Sequence, residues 1–176
     1  MKIVLWIMLV PLLAAVLVIV AGQFGLLTGS PPSLGVGDGR LKPPSATPNS
    51  VSSQTGLYPD HPQKNDAAIA PFAFQGDGKA ALGRLAAQLQ SKPGCTLVSQ
   101  SPDYLYATCR TKLLKFTDDL EFWLDPVAGV IQIRSSSRLG RKDFGVNRAR
   151  MEAIRSSFTA GVATPGPVSA SAQPSQ

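Results

Sequence analysis

Hydrophobic and polar positions change period three times along this chain, and each change predicts an element. From Ile3 to Leu27 there is no charged residue. The run Ile3 to Ala21 is apolar almost throughout, and a helix crossing a bilayer needs roughly 20 such residues. After a long irregular stretch, Leu82, Leu85, Ala86 and Leu89 recur at helical spacing behind Asp77, whose carboxylate suits an N-cap. Pro93-Gly94 ends that helix. Alternation of period two follows. Leu120, Phe122 and Leu124 share one face of a strand over 119–125, and Ile131 and Ile133 share one face of a strand over 130–138. Gln132 and Arg134 point the other way. Two further strands, 95–100 and 104–116, flank Ser101-Pro102-Asp103, which is turn chemistry. Residues 68–74 read as a short first strand. A last helix over 146–158 aligns Met151, Ile154 and Phe158.

The order is strand, helix, four strands, helix. Short turns between consecutive strands imply antiparallel pairing. The expected fold is α+β, an antiparallel sheet of four to five strands with two helices on one face, preceded by an N-terminal transmembrane helix.

Residues 1–27 read as the anchor, with a cleaved signal peptide as the alternative; its best cleavage site, Val20-Ala21-Gly22, is a poor one. Lys2 precedes the segment, and the first charge after it is Asp38. The positive-inside rule therefore places the N-terminus in the cytoplasm and the domain outside, on the periplasmic side if the cell is bacterial. Residues 28–65 are rich in Pro, Gly and Ser and read as linker. The uncharged stretch 161–176 reads as a disordered tail.

A hairpin turn centred on Pro102 sets Cys95 opposite Cys109, close enough for a disulfide, and a one-residue slip would part them. An oxidising compartment favours the bond, and two small buried thiols are the alternative. Two cysteines and the single distant histidine, His61, do not make a metal site, and no cofactor is implied.

Charge changes the picture late in the chain. The net charge is +6, and the segment from Arg134 to Arg155 holds seven basic residues against Asp143 and Glu152. A strand end, a glycine-containing loop and a helix start together suit an anion. Arg134, Arg138, Asn147 and Arg148 are the candidate contacts, with Asp143 and Glu121 orienting them. The competing reading is pairing: Arg148, Glu152 and Arg155 lie at helical spacing, and Arg134 falls across from Glu121. Gly140 and Gly145 are too sparse for a phosphate cradle. Asp118, Asp119, Glu121 and Asp125 form an acidic group. A hydrolase would use Asp119 and Glu121; a salt-bridged sheet surface is the plainer account. No Gly-x-Ser-x-Gly elbow occurs, and His61 lies in the linker, so no catalytic nucleophile is assigned. Few aromatics accompany the basic residues, which speaks against nucleic acid.

Four motifs carry a family resemblance. They are Pro48-Asn49-Ser50-Val51-Ser52-Ser53, Tyr104-x-Tyr106-Ala107-x-Cys109-Arg110-Thr111, Phe116-x-Asp118-Asp119-x-Glu121-Phe122, and Arg134-Ser-x-Ser-Arg138-x-Gly140-x-x-Asp143-x-Gly145-x-Asn147-Arg148-x-Arg150-x-Glu152. The chain resembles the bacterial and plastid family catalogued as domain of unknown function 1499 over roughly residues 40–160. The resemblance implies that the stretch from about Leu41 belongs to the domain, which then runs over 41–160 and leaves 28–40 as linker. It also implies an envelope location, and it supplies no activity. Many members carry cysteine where Ser50 stands here. The sequence thus points to a membrane-tethered, non-catalytic module for an anionic ligand or an envelope protein partner. A hydrolase and a structural component of an envelope complex are the rivals.

Overall fold

The structure is a computed structural model that describes residues 2–161, with side chains from Trp6 onward. The tail expected over 161–176 therefore lies, beyond Gly161, outside the described residues. Helix α1 spans Lys2–Gln23 and contains Pro11. Residues Trp6–Gln23 make one helix long and apolar enough to cross a membrane. Two-residue strands β1 (Val36–Gly37) and β2 (Arg40–Leu41) form a small ladder. Then come β3 (Ser50–Ser52), a 3-10 turn (Thr55–Leu57), α2 (Gly78–Ser91), β4 (Cys95–Gln100), β5 (Tyr104–Arg110), β6 (Thr117–Asp125), β7 (Val130–Ser137) and α3 (Val146–Ala160).

The main sheet has the order β3-β7-β6-β5-β4, and every pairing is antiparallel. The expected α+β fold is present, with one substitution of elements. The fifth strand is Ser50–Ser52, not 68–74. Phe72 makes one isolated bridge to Ile131, and Ala68 another to Ser52. Pro71 lacks an amide hydrogen, and a strand through it would lose a ladder bond. Phe72 is instead driven into the core, fully buried against Phe122 and Phe158 at 5.9 Å between ring centroids.

One face of the sheet carries Leu105, Ala107, Leu120, Phe122, Ile131 and Ile133, all fully buried. The stripes expected on the two helices, Leu82, Leu85, Ala86 and Leu89 on α2 and Met151, Ile154 and Phe158 on α3, close over them. Asp77 caps α2 as expected, accepting from the Ala80 amide at 2.7 Å. Cys95 and Cys109 are directly opposed and joined by a disulfide. Strand β4 carries a bulge between Leu97 and Ser99 and forms one edge.

The other face was expected to meet solvent, because alternation implies a wet side. Over β6 and β7 it does not, while Tyr104, Tyr106 and Thr108 of β5 are half-buried and Thr96 of β4 is exposed. Asp119, Glu121, Arg134 and Ser136 lie on it, and all are buried. The stretch of chain from Gly35 to Ser45 crosses it and touches it at both ends, through Gly35 to Glu121 and through Ser45 to Ser136. The Leu41 side chain is fully buried, and its amide donates to Gln54 Oε1 at 2.8 Å. The proline- and glycine-rich segment is thus a third layer laid over a polar sheet face.

Candidate functional site

Strand register decides which motif residues meet. Glu121 stands opposite Arg134 and Tyr106, and Asp119 stands opposite Ser136 and Thr108. Arg134 Nη1 reaches Glu121 Oε2 at 2.8 Å, with side chains 5% and 0% exposed. The other Glu121 oxygen accepts from the Tyr104 hydroxyl at 2.8 Å and from the Gly35 amide at 2.6 Å. Arg134 Nε donates to the Pro43 carbonyl at 3.1 Å. Both charges are therefore paired and hydrogen-bonded, which is the condition under which buried ions persist.

A second unit stands beside the first. Arg138, just past β7, donates to both oxygens of Asp119 at 2.8–3.1 Å, a bidentate pair of the stronger kind. The Tyr106 hydroxyl donates to Asp119 at 2.6 Å and accepts from Arg138 at 3.0 Å. The hydrogen bond to Asp119 raises the Arg138 pKa further above its already high value. Burial, then the hydrogen bond to Asp119, pushes the Tyr106 hydroxyl up to about 12. Burial and the neighbouring Glu121 push Tyr104 higher still. Asp125 lies at the far end of β6 and serves its turn. Burial would raise its pKa, but the Ala128 amide, the Gln132 side chain and the Val127 amide together lower it.

The remaining motif residues lie on the helix side. Asn147 is fully buried. Its amide nitrogen reaches the Asn49 carbonyl, Ser137 Oγ and Asp143 Oδ2 at 2.9–3.1 Å, and its oxygen meets Ser135 Oγ. Asp143 accepts from the Gly145 amide at 3.1 Å and the Asn147 amide at 2.9 Å. The start of α3, where an anion was expected, already holds a carboxylate from its own chain. Gly145 takes a φ of 83°, which lets the chain fold back so that Asp143 can reach. Arg150 Nη2 lies 2.6 Å from Asp118 Oδ2; the contact is an ion pair by distance, though its angles fall short of a hydrogen bond.

On the outer face of α3, Arg155 pairs with Glu152 and also donates to the Ala70 carbonyl. Arg148 turns away from Glu152 and donates to the Asp66 carbonyl at 2.9 Å. The expected run of three paired charges is therefore one pair and one arginine bound to backbone. Of the six predicted contact residues, the structure brings Glu121 and Arg134 together in one unit and Asp143 and Asn147 in another. Arg138 belongs to the Asp119 unit. Arg148 is apart, lining a cleft of about 190 Å³ with Lys142, Asp66 and Phe144.

Tyr104, Tyr106 and Arg150 stood in the family motifs but were not among the predicted contacts. The two tyrosines were legible, since alternation along β5 sets them on the same face as Asp119 and Glu121. Arg150 was marked only by its charge and its place in the last motif, neither of which names Asp118 as its partner. His61 sits in the loop, where Nδ1 accepts from the Gln63 amide at 3.1 Å. Among the described residues, no three His, Cys, Asp or Glu side chains converge as a metal would require. A larger cleft of about 580 Å³ lies between the Pro93-Gly94 turn and the end of β5, lined by Arg110, Lys112 and Lys115.

The family model described as "Protein of unknown function (DUF1499)" matches residues 40–158. No curated protein and no solved structure matches the chain.

Proposed function

The chain belongs to the DUF1499 family, and we propose that it is a membrane-tethered, non-catalytic module whose signature residues form an internal frame and whose cations outside that frame face an anionic partner. The observation that carries this reading is the closure of the network. Asp119 and Glu121 are both fully buried, each against an arginine and a tyrosine. A carboxylate in acid–base work must reach the proton it moves, directly or through one water. Here every approach is taken by Arg134, Arg138, the tyrosines or the Gly35 strap.

Anion binding in this reading falls to cations outside the frame, Lys142 and Arg148 at one cleft and Arg110, Lys112 and Lys115 at the other. The α1 helix is the tether. Its retention is supported by the seat of Gln23, whose side-chain nitrogen donates to the Leu113 carbonyl at 2.9 Å. With Lys2 ahead of the helix and no basic residue until Arg40, the domain lies on the extracytoplasmic side, in the cell envelope.

The test is Asp119→Asn in the full-length protein. The proposal expects a fall in unfolding free energy of about 3 kcal/mol, because Arg138, whose side chain is only 12% exposed, loses its charge partner. A variant that melts like the parent, yet loses a hydrolytic turnover the parent possesses, would overturn the reading in favour of an enzyme.

A further inference from the structure

The two ends of the sheet differ in chemistry, and α1 arrives at only one of them. Its last turn is seated on the loop between β5 and β6. A Cβ placed on Gly22 would lie 2.3 Å from the Leu114 carbonyl oxygen, so the helix approaches as closely as glycine permits. Farther along, a Cβ on Gly29 would lie 2.9 Å from Arg138 and Leu139, which puts the loop between β7 and α3 at the same end. A 22-residue helix is about 33 Å long at about 1.5 Å per residue. That length matches the hydrocarbon core, so the last turn of α1 stands at headgroup level and the two loops with it.

These loops suit that depth. Leu113 is 58% exposed and Phe144 87%, with Leu139 also exposed. Lys112 and Lys115 stand beside Leu113, and Arg141, Lys142 and Asp143 precede Phe144, the Asp143 carboxylate being taken up by the Gly145 and Asn147 amides. The 580 Å³ cleft in the same region is lined by Arg110, Lys112 and Lys115, with no acidic side chain. At the opposite end the turns carry Asp103 and Asp125. Apolar and aromatic side chains at the acyl boundary, with basic residues reaching for phosphate, are the chemistry by which a surface lies on anionic lipid.

We infer that this end of the domain is an anionic-lipid surface. Leu113, Leu139 and Phe144 enter the interface, and Arg110, Lys112 and Lys115 hold a headgroup phosphate. The inference rests on the tethering role of α1 proposed above and names the anionic partner.

The experiment uses the full chain in nanodiscs of phosphatidylcholine, with or without phosphatidylglycerol, and reads amide exchange in the loops 111–116 and 138–145. Exchange in both loops is expected to slow about fivefold or more when phosphatidylglycerol is present, and the slowing to fade at high salt. Lys112→Glu with Lys115→Glu should remove the effect while exchange in β6 and β7 stays as in the parent. If the charge reversal disturbs the sheet, Lys112→Gln with Lys115→Gln supplies the same comparison. Equal exchange in the two lipids would overturn the inference. Equal slowing by inorganic phosphate in phosphatidylcholine alone would assign the cleft to the free anion and overturn its lipid part. None of these results touches Asp119 or Glu121, so the internal-frame reading stands or falls separately.

Discussion

Along β6 and β7 the two faces of the main sheet are both buried, by opposite chemistry. Under α2 and α3 lie Leu120, Phe122, Ile131 and Ile133, held by apolar contact alone. Under the strap from Gly35 to Ser45 lie Glu121, Arg134, Asp119 and Ser136, held by ion pairs and hydrogen bonds. The helix face tolerates any side chain of the right volume and polarity. The strap face tolerates only partners that satisfy one another. That difference explains why the signature of the chain falls on polar residues at fixed spacing, and why those residues resemble a binding site in sequence without opening as one.

The largest expected effects fall on both faces alike. Phe122→Ala should lower the unfolding free energy by about 3–5 kcal/mol through the cavity it leaves. Arg134→Met should lower it by a similar amount, because Glu121 stays buried without its cation. Chemical denaturation of the two variants checks the parity. A loss confined to Phe122→Ala would mean that the strap face opens readily to water.

The disulfide comes next. Cys95 and Cys109 are 14 residues apart, and a closed loop of that size contributes about 3 kcal/mol in the chain-entropy account. Replacing both cysteines by alanine should lower stability by about that much and leave both faces in place.

A smaller effect separates the faces by pH. The folded Tyr106 pKa of about 12 lies above the ordinary 10.0, so the folded state holds that proton more tightly than the unfolded one. Its contribution to stability is therefore complete below pH 10 and is lost as pH rises through about 12. Tyr58 and Tyr104, the other tyrosines of the chain, are also shifted upward. Alkaline titration followed by tyrosinate absorbance should show little ionisation at pH 10 and then a rise together with unfolding. An early, ordinary titration of all three would place the tyrosines in solvent.

What the sequence disclosed follows the same division. Helical stripes and strand alternation located α2, α3, β4, β6 and β7 within a few residues, because burial against an apolar partner leaves a period; the strand expected over 104–116 stops at Arg110, where the chain turns towards β6. The Cys95–Cys109 pairing was read from a hairpin centred on Pro102, but beside the turn the register is one residue off, with Gln100 facing Leu105 and Ser99 facing Tyr106, and the bulge between Leu97 and Ser99 restores it at the cysteines. The strap left no such trace. Its proline and glycine content describes a chain without regular hydrogen bonding, and a segment of that kind covers a face as readily as it spans a gap. Glu121 across from Arg134 was foreseeable from register, but its burial was not, because alternation reports two faces and not what lies on the second. The brief strand Ser50–Ser52 is polar and three residues long, too short to show a period.

The most direct test of the internal frame is a double-mutant cycle on Glu121→Leu and Arg134→Met, with unfolding free energy as the readout. Each single variant strands a buried charge, and the double variant strands none. The account predicts that each single loses about 3–5 kcal/mol and that the double loses less than either. Singles within about 0.5 kcal/mol of the parent, with a strictly additive double, would contradict it and return these two residues to the role of exposed ligand contacts.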